Sequence, residues 1–207
     1  SDKPIIPVDP LLGTRYKFQG DFNGDGKTDL VRITDNPGTC SLYLTDYTGQ
    51  LQFRSSQSLP TYYQISQVYP GDFNGDGLQD LLIFRLIGSG YFPAFFISNG
   101  SSFSEIDYYL PLCSSSDTCF TGDFNGNRKM DIMIKTTGSY NCLIYDFNFS
   151  GGGTISPTLI GQSNIEWGNK GFSKIKEVPF DMNGDGKTEL MVLDFDESRF
   201  YGLQEGT

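Results

Sequence analysis

The decamer Asp21-Phe22-Asn23-Gly24-Asp25-Gly26-Lys27-Thr28-Asp29-Leu30 is one of four copies along the chain. The others are DFNGDGLQDL at 72–81, DFNGNRKMDI at 123–132 and DMNGDGKTEL at 181–190. They begin at Asp21, Asp72, Asp123 and Asp181, so successive copies are 51, 51 and 58 residues apart. Near-constant spacing on this scale marks a repeat architecture, in which each unit buries its core only against its neighbours. Around each copy the pattern is the same. A short run leads in, as in YPGDF and FTGDF, and a β-branched, apolar run follows: LVRIT, LLIFRL, IMIKT, LMVLDF. A second strand-like run comes next (SLYLT, FPAFFIS, CLIYDF, RFYGL), and in the first two units a Gly turn and a run ending in Pro close the period (QSLP, YYLP). Four strands per 51 residues is the grammar of a propeller blade. A β-sandwich would give no reason for a fixed period.

The fold expected is therefore all-β, a β-propeller of four blades forming a single domain over 1–207. The last unit reaches a third strand near Leu203, while Pro4 to Pro10 align with the outer strand it lacks. The expectation is a ring closed by pairing this N-terminal strand with the last blade; the alternative is part of a larger, seven-bladed ring.

Composition narrows the function. The net charge is −10 and there is no histidine. Nucleic acid and anionic membrane need a basic face, so neither is an expected partner. His-based nucleophile dyads and His-zinc sites are excluded. No apolar run is long enough to span a membrane. With 17 Phe and 12 Tyr the chain is rich enough in aromatics to build a core.

The repeated loop supplies oxygen ligands at its positions 1, 3, 5 and 9 and a backbone carbonyl at 7, which suits Ca²⁺, a hard cation taking six to eight oxygens. The expected ligands are Asp21, Asn23, Asp25 and Asp29 with the Lys27 carbonyl; Asp72, Asn74, Asp76 and Asp80 with Leu78; Asp123, Asn125, Asn127 and Asp131 with Lys129; and Asp181, Asn183, Asp185 and Glu189 with Lys187. Three to four calcium sites are expected. The loop starting at Asp123 should be the weakest: Asn127 removes a charge, and Arg128 stands where the turn wants Gly. An EF-hand would carry Glu at position 12, where this chain has Arg32, Ile83, Ile134 and Val192.

These loops resemble the FG-GAP/VCBS repeat family, whose calcium loops occur in integrin α-type propellers. The resemblance implies an extracellular, secreted or cell-surface binding module of adhesion or lectin type, with a protein or glycan partner and no catalysis. It leaves two other readings open: the propeller part of a secreted polysaccharide-degrading enzyme, or a scaffold segment of a bacterial toxin or surface protein. The chain departs from its own pattern at Asn127-Arg128, at Glu189, and at Phe180, where the other units have Gly20, Gly71 and Gly122.

The seven extra residues of the third period fall within 149–171, with the only tryptophan, Trp167. A loop-borne Trp167 beside Asn164, Glu166 and Asn169 could stack on a sugar while the polar groups bind its hydroxyls. The alternative is that Trp167 packs between blades. Cys113 and Cys119 bracket a short inter-blade linker and could form a local disulfide. Cys40 and Cys142 occupy equivalent positions of the first and third units and should stay apart and buried.

Overall fold

In the computed structural model the residues described are 14–35, 38–60, 64–108, 113–114, 116–136, 141–150, 153–164, 175–194 and 199–203. They form four antiparallel sheets in chain order, with no helix among them. The first holds β1 (Thr14–Gly20), β2 (Asp29–Asp35), β3 (Gly38–Thr45) and β4 (Leu51–Ser58). The second holds β5 (Ile65–Gly71), β6 (Asp80–Ile87), β7 (Gly90–Ser98) and β8 (Phe103–Asp107), and β9 (Cys113–Ser114) pairs with the start of β7. The third holds β10 (Thr118–Gly122), β11 (Asp131–Lys135), β12 (Asn141–Ser150) and β13 (Thr154–Asn164). In the fourth, β14 (Ile175–Phe180), β15 (Glu189–Asp194) and β16 (Arg199–Leu203) are described. Each repeated decamer is the turn between the first two strands of its sheet. The residues expected to close the ring, Pro4 to Pro10, lie outside the described residues.

The sheets pack face to face in sequence, and β6 shows why its run is continuously apolar. Successive strand side chains point to opposite faces. Leu81 and Ile83 face the first sheet, joining Phe22, Val31, Ile33 and Leu42 in one core. Leu82 and Phe84 face the third sheet, in a second core with Ile132, Ile134 and Phe147. A strand buried on both faces loses the polar alternation of an exposed one. A third, smaller core of Phe124, Met133, Cys142 and Leu190 joins the third and fourth sheets.

Each junction is made the same way. The backbone N–H of the eighth loop residue donates to the carbonyl of the first residue in the preceding loop: Gln79 to Asp21 (3.1 Å), Met130 to Asp72 (2.7 Å) and Thr188 to Asp123 (2.6 Å). The loops therefore stand in a row at one end of the stack. The side chains of Gln79, Met130 and Thr188 fill the space beside Gly20, Gly71 and Gly122. A Cβ on any of these glycines would meet them closer than 3.0 Å.

The third hairpin departs from the expected outline. β12 and β13 are long strands of 10 and 11 residues, and Asn164 is the last residue of β13, paired with Asn141. Asn164 is thus a strand residue and not loop-borne. Glu166, Trp167 and Asn169 lie outside the described residues. Cys40 and Cys142 are buried, and burial, with a contribution from Glu105, pushes the Cys40 thiol up to about 12. The sulfurs of Cys113 and Cys119 lie 3.2 Å apart and both residues are buried.

Candidate metal loops

Four oxygen-rich turns are built on one hydrogen-bond plan. The first aspartate is the hub. Asp21 Oδ1 accepts from the N–H of Gly24 (2.7 Å) and Asp25 (3.1 Å), and Oδ2 from Gly26 (2.8 Å). Asp72 repeats this with Gly75, Asp76 and Gly77, and Asp123 with Gly126, Asn127 and Arg128. Asp181 holds Gly184 and Gly186. The third and fifth residues cap the turn further: Asn23 Oδ1 accepts from Asp25 N–H and Asp25 Oδ1 from Lys27 N–H, both at 2.9 Å. The loop is curled around its own carboxylates, which is why Asp and Asn recur at alternate positions.

Position 6 requires a left-handed backbone. Gly26, Gly77 and Gly186 have φ of 78°, 87° and 86°, and Arg128 is forced to 68° in the third loop. A side chain in that region costs about 1–2 kcal/mol. Arg128→Gly is therefore expected to stabilise the protein by up to about 1 kcal/mol, after the extra chain entropy of glycine is offset. It should also tighten calcium binding at this loop by removing a positive charge. Thermal melting and calorimetric titration check both; a lower melting temperature would overturn the strain argument.

The ninth residue does more than the spacing suggested. Asp29 is buried; its Oδ2 accepts from Phe22 N–H (3.1 Å) and its Oδ1 from Thr45 N–H (2.8 Å). Asp80 does the same with Phe73 and Ser98. Each carboxylate thus ties the start of the loop to the end of the sheet's third strand. Asp131 bonds Phe124 N–H at 2.9 Å, while its Oδ1 is buried with no partner among the described residues. Glu189, longer by one methylene, turns back into its loop, bonding Met182 N–H (2.7 Å) and Asn183 Nδ2 (2.9 Å). Asp181, Asp185 and Glu189 bring carboxylate oxygens within 4.8 Å of one another.

The residues fit a hard divalent cation. Every side-chain donor is an oxygen, two or three carboxylates belong to each turn, and the orphaned Asp131 Oδ1 is an acceptor that a cation would satisfy. Beside the third loop stands a further carboxylate, Asp146 of β12: Lys129 Nζ lies 2.6 Å from its Oδ1, and Asn127 Nδ2 donates to its Oδ2 at 3.2 Å. In the first loop the exposed Lys27 Nζ reaches Asp25 Oδ2 at 2.7 Å.

Burial pushes the carboxyls of Asp80 and Asp131 up to about 7, with neighbouring aspartates adding to it and backbone N–H bonds offsetting part. Without metal these groups hold protons that the unfolded chain releases around pH 4. Stability tied to those protons is complete below the unfolded value and is lost as pH rises through 7. The chelated protein is expected to melt at lower temperature at pH 8 than at pH 5, and calcium should cancel that difference by favouring the charged forms. Equal slopes with and without calcium would contradict this.

A stack of antiparallel sheets of three to five described strands, each carrying an oxygen-rich turn between its first two strands, defines the class: a propeller-like, all-β repeat protein. Residues 21–83, which contain the first two loops, match the FG-GAP-like repeat family, so the resemblance carried by the loops is supported. No curated protein matches the sequence. Among solved structures the chain is similar to an Agrocybe aegerita lectin described as recognising non-reducing terminal N-acetylglucosamine. The TM-score is 0.57 and the identity 18%, over 94% of this chain and 52% of that one. It is also similar to two rhamnogalacturonan lyases. For the exotype enzyme YesX the TM-score is 0.51 and the identity 16%, over 93% of this chain and 41% of the other. For YesW the TM-score is 0.51 and the identity 15%, over 93% and 42%. At these identities the likeness is one of fold, and the chain spans about half or less of each structure's length. No helix among the described residues is long and apolar enough to cross a membrane.

Proposed function

We propose that this chain is a calcium-stabilised, propeller-type binding module that works outside the cell as a non-catalytic glycan binder. The observation that carries the reading is the fourfold oxygen-rich loop, built on one hydrogen-bond plan and ending in a buried acid. Calcium suits this donor chemistry, and its free concentration outside cells favours sites of this kind. The lectin among the similar folds supports a carbohydrate over a protein ligand. The similar rhamnogalacturonan lyases favour a second reading, in which the chain is the propeller part of a polysaccharide lyase.

A fourth junction like the other three would bring an eighth-position residue against Phe180, which is 41% exposed, where the earlier units carry Gly20, Gly71 and Gly122.

Binding of the purified chain to a glycan array, with calcium and again with chelator, tests the function. The expected result is calcium-sensitive capture of a defined sugar. Release of unsaturated products from rhamnogalacturonan would replace the binding reading with the lyase reading. A folded, calcium-loaded chain that binds no glycan would overturn the carbohydrate assignment.

A further inference from the structure

The chain passes from the second sheet to the third between two cysteines. Cys113 lies in β9 and pairs with Tyr91 of β7, so it belongs to the second sheet. Cys119 lies in β10 and pairs with Ile134 of β11, in the third. Its carbonyl also accepts from the Tyr69 hydroxyl of β5 at 2.9 Å, which ties it to the second sheet. Two bonds close a turn between the cysteines. Asp117 N–H donates to the Ser114 carbonyl at 3.1 Å, and Asp117 Oδ2 accepts from Ser114 N–H at 2.8 Å. Each cysteine is thus held by its own backbone partners, and the sulfurs meet at 3.2 Å inside the core that joins the two sheets. Cys40 and Cys142 are each the one cysteine of a different core.

The two meeting thiols differ in access. Cys113 lines a cavity of about 480 Å³ with Ile87, Ser89, Gly90, Phe92 and Ser114. Ile87 is half exposed, so the cavity opens to solvent. Cys119 does not line it and is 3% exposed. Contact with Cys113, burial and the nearby Asp117 all push the Cys119 thiol well above the usual range. A thiol held in its protonated form is a slow nucleophile.

We infer that Cys113 and Cys119 form a structural disulfide that staples the second sheet to the third, with Cys113 as the thiol that meets the oxidant, while Cys40 and Cys142 stay reduced. The oxidant is a low-molecular-weight disulfide of the glutathione class. The Cys113 thiolate attacks one of its sulfurs, forms a mixed disulfide in the cavity and releases one small thiolate. That thiolate takes the Cys119 proton, and the Cys119 sulfur then displaces the second small thiolate from Cys113, which takes up the proton Cys113 had lost to water. Two protein thiols are oxidised to one disulfide, and the small disulfide is reduced to two thiols. The bond closes a ring over 113–119 in apolar surroundings, where a reductant reaches it poorly. Ser114, Ser116 and Thr118, all exposed, are then carried on a covalently closed turn beside the cavity. The inference does not depend on the calcium or the glycan reading.

The test uses the full chain, reduced, freed of reductant, incubated with oxidised glutathione, then denatured and alkylated. Label is expected on Cys40 and Cys142 alone. The tryptic peptide that follows Arg85 and ends at Arg128 carries both other cysteines, and it should be recovered unlabelled and lighter by two hydrogens. Dithiothreitol should open this bond at least about tenfold more slowly in the folded chain than in urea. Cys119→Ser should trap a glutathione adduct on Cys113, and Cys113→Ser should form one on Cys119 at least about tenfold more slowly. Label on all four cysteines after oxidation, in a chain shown folded by circular dichroism and a cooperative melt, would overturn the disulfide. So would a bond that includes Cys40 or Cys142. Equal adduct rates in the two serine variants would overturn the role given to Cys113, and equal opening rates in buffer and urea would overturn the buried staple.

Discussion

Phe95→Ala is expected to destabilise the protein by about 3–5 kcal/mol. For a chain of this size that lowers the melting temperature by on the order of 10 °C. Phe95 is fully buried on β7. Its ring meets Phe73 edge-on at 5.5 Å, Phe147 at 5.0 Å and Phe149 edge-on at 5.3 Å, so it joins the second sheet to the third. Truncation removes the area and leaves a cavity walled by aromatic rings, which cannot close without moving two sheets. The control is Phe53→Ala on β4, where the ring is 62% exposed and the expected change is within about 0.5 kcal/mol. Urea or thermal unfolding of the two variants checks the pair. Equal effects would contradict the face-to-face packing of successive sheets.

Chelation is the second large expectation. Eleven of the 25 acidic residues lie in the four loops. Without a cation, carboxylates in one turn repel, and burial of Asp80 and Asp131 favours their protonated forms. A ligand at 100 times its dissociation constant stabilises a fold by about 2.7 kcal/mol per site. Several loops acting together should therefore shift the melting temperature by about 10 °C or more between millimolar calcium and excess chelator. Asp72→Ala should reproduce part of the loss and reduce the number of ions retained. An unchanged melting temperature in chelator would remove calcium from the account of stability.

The period of the loops made the sheets legible, because strand number per unit follows from spacing and turn chemistry alone. The hub role of Asp21, Asp72, Asp123 and Asp181 was legible too, since an aspartate followed by alternating Asn, Asp and Gly is a local device. What was not legible depends on partners far away in sequence. That Asp29 reaches Thr45, and Asp80 reaches Ser98, requires knowing where the third strand ends. The glycine before each loop reads as a turn residue until Gln79, Met130 and Thr188 are seen occupying its space. That Asn164 ends a strand paired with Asn141 was not legible either, because an insertion in sequence does not reveal which of its residues pair.

The backbone bonds that run from each loop to the one before it also set how the molecule comes apart. Every sheet depends on its immediate neighbours, and the coupling passes through Gln79, Met130 and Thr188. Such an array behaves as a set of nearest-neighbour units, in which a strand held from both faces opens last. β6 contributes to two cores, one on each face. Amide exchange should accordingly be slowest at β6 and faster at β4, whose residues are mostly exposed.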